Sequence, residues 1–173
     1  RTLYWVGGTG NWSATTSWST ASGGASGAAI PTSLDAVIFD SLSNATAYTA
    51  TIDAGVTIAR CASITVAGPA SGNVTIAGTV GIASQGNISF TATGITRTWT
   101  GTVYLAGNTS GLTINSNGFF SASNSCYLYG FGSSWSMSSA LTVGIFSFEA
   151  AATFTTNNFN LTPTQFNFST IGY

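Results

Sequence analysis

Short triplets of alternating apolar and polar residues recur along the chain at a nearly constant distance. They are Ile64-Thr65-Val66, Ile88-Ser89-Phe90, Leu112-Thr113-Ile114, Trp135-Ser136-Met137 and Phe159-Asn160-Leu161. Their starting positions differ by 24, 24, 23 and 24 residues. Because one triplet is too short to bury its own apolar face, a fixed period of this size indicates stacked repeats.

Two further series of short alternating segments, broken by Gly, Ser or Asn, lie between the triplets. Three short strands in a coil of about 24 residues predict an all-β fold, a parallel β-helix (β-solenoid) of about five coils. Apolar residues nowhere keep the spacing of an amphipathic helix. A β-sandwich also has short, regularly spaced strands, but the constant period favours the solenoid. Residues 115–130 follow the repeat poorly, so the number of coils stays open.

Residues 1–46 differ from the repeats, which occupy residues 47–173. They contain Trp5, Trp12 and Trp18, which we expect to pack as an N-terminal cap over the first coil. The chain starts at Arg1 without a start methionine, and its strand-like alternation runs to Tyr173. We therefore expect a processed chain or part of a longer one, with more chain or a partner covering the last coil.

Charged residues make up only 4% of the chain, against roughly 25% in ordinary soluble proteins. Three Arg, no Lys and a net charge of −1 provide no basic surface for a phosphate backbone, which argues against nucleic-acid binding. Polar residues interrupt every apolar run before it reaches the roughly 18 residues of a membrane helix. A surface with so little charge repulsion favours a protein that is held in an assembly.

The two cysteines, Cys61 and Cys126, are separated by nearly three repeats. A separation of nearly three coils corresponds to roughly 13 Å along the axis, whereas a disulfide needs Cα atoms within about 7 Å. The repeat therefore predicts two free, mostly buried thiols.

Residues for chemistry are scarce. Without His or Lys, Ser-His and Cys-His catalytic systems and His-based metal sites cannot be assembled within this chain. The carboxylates are Asp35, Asp40, Asp53 and Glu149. Asp35 and Asp40 flank a short apolar segment, where turn capping is favoured over a catalytic pair. We predict no catalytic residues, no metal site and no cofactor.

Aromatic residues are the remaining candidates for recognition. The candidates for stacking on a glycan or a partner are Trp99, Tyr104, Tyr127, Tyr129 and Trp135. The competing interpretation is that most of them are inward-facing rungs of the core. Tyr127 and Tyr129 lie on either side of Leu128, and the sequence does not place them inside or outside.

The opening Trp5-Val6-Gly7-Gly8-Thr9-Gly10-Asn11-Trp12 resembles a family of bacteriophage and metagenomic proteins with a W-V-G-G-x-G-N-W opening. The segments Gly130–Met137 and Asn158–Thr162 are similar to the repeats of that family. The resemblance covers most of the chain and implies a tail-fibre or other virion surface protein whose opening leads into β-solenoid repeats. Similar sequences also occur in bacterial surface proteins.

Together these observations predict a non-enzymatic structural protein of a bacteriophage particle, a tail fibre or surface appendage that provides a rigid rod for attachment. The expected partners are further copies, as a homotrimer or head to tail, other virion proteins and a cell-surface glycan. The expected location is the virion surface or tail, or otherwise extracellular. The alternative is a secreted bacterial adhesin or self-assembling extracellular filament subunit, and a third hypothesis is a β-helical polysaccharide-degrading enzyme.

Overall fold

A computed structural model describes residues 1–68 and 74–169 as short strands joined by tight turns. In chain order the strands are β1 (Thr2–Trp5), β2 (Gly10–Asn11), β3 (Trp18–Ser19), β4 (Ala36–Phe39), β5 (Tyr48–Ile52), β6 (Ala59–Cys61), β7 (Ser63–Val66), β8 (Val74–Gly78), β9 (Ile82–Ser84), β10 (Ile88–Phe90), β11 (Thr96–Arg97), β12 (Val103–Leu105), β13 (Leu112–Asn115), β14 (Ser125–Leu128), β15 (Ser134–Met137), β16 (Leu141–Phe148), β17 (Thr153–Thr155) and β18 (Leu161–Phe168). A 3₁₀ turn, Thr15–Ser17, lies between β2 and β3.

The strands form three sheets that wind around one core. The first sheet has the order β17-β15-β13-β10-β7-β4-β1-β3, the second β11-β8-β5-β2 and the third β18-β16-β14-β12-β9-β6. Every pairing is parallel except that of β3 with β1. This architecture confirms the predicted β-solenoid, with about six turns, and excludes the β-sandwich.

Alternate residues of each strand point into the core and stack on their equivalents in the next coil. One inward ladder of the first sheet consists of Leu3, Val37, Ile64, Ile88, Ile114 and Met137, all of them buried. A ladder of the third sheet runs through Ala59, Ile82, Val103, Cys126 and Phe146. Since burial of a large aliphatic or aromatic side chain contributes roughly 1.5–3 kcal/mol, these ladders are the main source of stability.

The predicted register is correct for some coils and wrong for others. Ile88 pairs with Ile64 as predicted, but it also pairs with Ile114, not with Leu112. A shift of two residues keeps the same side chains facing inward, so the alternation alone cannot exclude it.

The last predicted triplet leaves the first sheet. Trp135 pairs with Phe154 of β17, 154 − 135 = 19 residues later, because the last coil is shorter than the others. Phe159 precedes β18, in which Leu161 pairs with Leu141 of β16. The prediction that Phe159 continues the first ladder is therefore wrong. The alternation predicted up to Tyr173 lies, for residues 170–173, outside the described residues.

Within the irregular segment at 115–130, residues 116–124 connect β13 to β14 and cross the second face without a strand. Phe119 and Phe120 are buried there, and the ring of Phe119 stacks on that of Phe90 with centroids 4.0 Å apart. The buried amide of Asn124 donates to the carbonyl oxygen of Gly101 at 3.0 Å and accepts from Arg97 Nη1 at 3.0 Å. Aromatic packing and one asparagine thus replace the missing strand pairing.

At the N-terminal end, Trp5, Trp12 and Trp18 are fully buried. The ring of Trp18 makes edge contacts with Trp5 and Trp12, with centroids 5.1 and 4.9 Å apart, and Trp5 stacks on Phe39 at 5.2 Å. Strands β1 and β2 extend the first and second sheets, and β3 covers the edge of the first sheet. The first coil therefore covers its own aromatic residues.

Candidate ligand-binding surface

The outward-facing residues of the third sheet form a row that is polar at its ends and aromatic in its centre. The register aligns Arg60, Ala83, Tyr104, Tyr127 and Ser147 on five successive strands. These residues alternate with the inward-facing ladder, which directs their side chains away from the core. The row therefore brings together residues up to 147 − 60 = 87 positions apart in the sequence.

Tyr104 and Tyr127 of this row form a cluster with Tyr129, which follows β14. The ring centroids of Tyr104 lie 5.7 Å from those of both Tyr127 and Tyr129, which are themselves 6.4 Å apart. Tyr129 is 50% exposed. Gly81 gives the ring of Tyr104 its space, because a Cβ at Gly81 would lie 2.7 Å from Tyr104 Cε2. The cluster thus presents aromatic faces and hydroxyl groups to the solvent.

A groove of about 310 Å³ runs beside the cluster. Its lining residues are Ile58, Arg60, Ala83, Tyr104, Ala106 and Tyr129. The volume is at the lower end of the roughly 300–1,000 Å³ of small-molecule sites. The alanines provide a flat apolar floor, Tyr104 and Tyr129 an aromatic wall, and Arg60 a cation.

Arg60 is exposed, and its guanidinium has no hydrogen-bond or ion-pair partner in the part of the chain that the structure describes. Glu149 follows β16, four strand steps from Arg60, or about 19 Å. It accepts a hydrogen bond from Ser147 Oγ. Partial burial and the charge of Glu149 raise the pKa of Tyr129. The surface is therefore positive at the groove and negative at its far end.

The structure divides the five predicted recognition residues into two groups. It brings Tyr104, Tyr127 and Tyr129 together at the surface, but Trp99 and Trp135 are each only 1% exposed. Trp99 Nε1 donates to the carbonyl oxygen of Val80 at 2.8 Å, and Trp135 lies between Leu112 and Phe154 in the first sheet. Assigning Trp99 and Trp135 to a contact surface is therefore wrong, because neither presents a ring face to the solvent.

The sequence analysis missed Arg60 and Ile58. The alternation of β6, in which Ala59 and Cys61 are buried, was a signal that Arg60 points outward. Its place beside Tyr104 follows only from the register across β9.

The aspartates serve the turns of the first coils. Asp35 accepts hydrogen bonds from Arg1 Nε at 2.7 Å and from the backbone N–H of Thr32 at 2.9 Å. Burial alone would raise the pKa of Asp35, but these bonds outweigh it and lower the pKa to about 2. Asp53 accepts from the N–H and hydroxyl of Ser13, which lowers its pKa against the opposing effect of burial.

Asp40 also stabilises a turn. It accepts from the N–H of Leu42 at 2.9 Å and from the hydroxyl of Ser22 at 2.7 Å. Turn capping by Asp35 and Asp40 agrees with the interpretation of the sequence. In the described ranges, residues 1–68 and 74–169, no group of three or more His, Cys, Asp or Glu side chains could hold a metal ion.

Both thiols are buried and free, as predicted. Cys61 lies on β6 and Cys126 on β14, three strand steps apart in the third sheet.

Within the described residues, no helix is long and apolar enough to cross a membrane. No family model, no curated protein and no solved structure matches this chain.

Proposed function

We propose that the chain is a non-enzymatic structural protein of a bacteriophage particle, a segment of a tail fibre or surface appendage that holds a glycan-contacting surface on a stiff rod. The observation that carries the proposal is the continuous stacking of about six coils with an aromatic groove on one sheet. Six coils span about 29 Å along the axis. Backbone pairing in every coil gives such a rod its stiffness, and a fixed array of outward side chains suits attachment.

The last coil supports assembly with a partner. Phe166 stacks on Phe146 with centroids 5.4 Å apart, yet it is 43% exposed, and Phe168 is 71% exposed. Phe159 adds a third exposed ring. These residues would be buried by further chain, by a further copy, as in a homotrimer or a head-to-tail assembly, or by another virion protein. At the opposite end Trp12 and Trp18 are buried, and the large apolar side chains exposed in the first coils are Leu34 and Leu42.

The same exposed rings favour the second candidate, a secreted bacterial adhesin or extracellular filament subunit whose copies associate through the last coil. No observation favours the third hypothesis, a polysaccharide-degrading enzyme. Asp35, Asp40 and Asp53 hold turns of the first coils, and Glu149 bonds Ser147.

Electron microscopy of the native source with an antibody against this chain tests the proposal. Label on the tail or surface of capsid-bearing particles is expected. Continuous label along fibres without capsids would contradict the virion role and favour the filament subunit.

A further inference from the structure

We propose that the groove beside Tyr104 binds an acidic saccharide, with the sugar carboxylate on Arg60 and the sugar ring against Tyr104 and Tyr129. The inference rests on the glycan-contacting role proposed above and specifies the class of glycan.

The geometry leaves space for a sugar ring between the cation and the aromatic wall. Arg60 and Tyr104 are two strand steps apart, about 10 Å, and only Ala83 lies between them in the register. The small side chains of Ala83 and Ala106 keep the floor of the groove low. A ligand lying on this floor reaches Arg60 on one side and the two tyrosine rings on the other.

The positive charge of Arg60 is not used in an ion pair within the described residues. Of the three arginines, Arg1 pairs with Asp35, and Arg97 donates to Asn124. Only the guanidinium of Arg60 has no protein partner among residues 1–68 and 74–169. A guanidinium presents a planar fork of donors that matches a carboxylate with two parallel hydrogen bonds. Glu149, about 19 Å away, lies beyond the Debye length of about 8 Å at physiological salt and does not neutralise it.

The aromatic wall selects a sugar over other anions. Tyrosine offers a rigid apolar face for the C–H groups of a pyranose and a hydroxyl for its polar groups, at a low cost in conformational entropy. Nucleic acid would require several cations along its backbone, and the groove has one. An extended peptide would require a free sheet edge, but β9 and β12 are each paired on both sides.

The test is an array of acidic oligosaccharides, containing uronic or sialic acids, printed beside their carboxyl-reduced counterparts, neutral oligosaccharides and acidic peptides. The recombinant chain is expected to bind at least one acidic oligosaccharide at least tenfold more tightly than its carboxyl-reduced form. Calorimetry in solution then compares the variants Arg60→Gln and Tyr129→Ala with the control Tyr4→Ala, whose tyrosine lies on β1 of the first sheet.

Arg60→Gln and Tyr129→Ala are each expected to weaken binding at least tenfold without changing the unfolding midpoint, whereas Tyr4→Ala leaves binding unchanged. For the carboxyl-reduced ligand, Arg60→Gln is expected to have no effect.

Each of the other possible results contradicts a specific part of the proposal. Equal binding of acidic and carboxyl-reduced glycans would refute the acidic class and leave glycan contact standing. Acidic binding that survives Arg60→Gln would place the site elsewhere. Binding of the acidic peptides alone would exclude a saccharide, and no binding to any glycan would refute both this inference and the glycan-contacting role.

Discussion

Replacing Gly130 by alanine is expected to force two successive coils apart, at the corner that leads from the third sheet into the first. A Cβ at Gly130 would overlap the carbonyl oxygen of Gly107 in the preceding coil, at a distance that real Cβ atoms essentially never adopt. The overlapping atom belongs to the backbone, so no side-chain rotation relieves it. The φ angle of Gly130 is not positive, so alanine adds no left-handed backbone strain there. The expected loss of stability therefore comes entirely from the separation of the two coils.

The magnitude follows from the bonds at this corner. The N–H groups of Tyr129 and Gly130 both donate to the carbonyl oxygen of Leu105, at 2.9 and 3.2 Å. Separation of the coils weakens both bonds, at about 1 kcal/mol each, and overpacking adds about 1–3 kcal/mol. We expect Gly130→Ala to lower the free energy of unfolding by about 3–5 kcal/mol.

Gly132→Ala is the matched control in the same turn. Gly132 has a φ of 70° and no atom within 4 Å of an added Cβ, so its replacement carries only the left-handed cost of about 1 kcal/mol. Urea unfolding followed by tryptophan fluorescence measures both variants, since all five tryptophans are buried. A loss for Gly130→Ala no greater than that for Gly132→Ala would refute the close stacking of these coils.

Three further predictions test the core, the thiols and the charges. Phe119→Ala should cost about 3–5 kcal/mol, whereas Phe131→Ala, at an exposed position, should stay within about 0.5 kcal/mol; equal losses in urea unfolding would refute the aromatic corner. Burial raises the pKa of the Cys61 thiol to about 12 and that of Cys126 further, so both should react with Ellman's reagent only after unfolding, and rapid native labelling would contradict their burial. Asp35 has a folded pKa of about 2, below its usual 3.8, so its stabilising contribution is complete above pH 3.8 and is lost as the pH falls through 2. Asp35→Asn should therefore cost about 1–2 kcal/mol in thermal unfolding at pH 7 and progressively less as the pH falls towards and below 2. A cost that does not change with pH would exclude the ion pair with Arg1 as its cause.

The regular part of the fold could be predicted because its signals are local. Alternation in strands such as β4 and β12 determines which side chains face inward, and a repeat near 24 residues determines that coils stack. The exact partners could not be predicted, because corner lengths vary between coils. The pairing of Ile88 with Ile114 and of Trp135 with Phe154 depends on how each corner packs, and no local pattern records that packing.

The candidate surface was predicted in part. Tyr104, Tyr127 and Tyr129 were identified because they are aromatic. Trp99 and Trp135 are aromatic too, but they are buried in the core. What separates them is their place in the alternation. Trp135 occupies a buried position of β15, and Trp99 follows β11 at a corner where its indole N–H can reach a backbone carbonyl. Arg60 was missed because its neighbour Tyr104 is 104 − 60 = 44 residues away, and only an established register joins them.

The few charged residues of this chain have two different roles, some in turns and one beside the groove. This difference connects the fold to the proposed function. The solenoid is stabilised by backbone pairing and by ladders of apolar side chains. Charged side chains are needed only where their hydrogen bonds hold a turn. Asp35 and Asp53 meet that need. Arg60 makes no such hydrogen bond among the described residues. It lies on the outward row of the third sheet, whose other members are aromatic or small. On a surface with so few charged residues, the unpaired guanidinium of Arg60 sets the local electrostatic potential, and that potential attracts an anion to the groove beside Tyr104 and Tyr129.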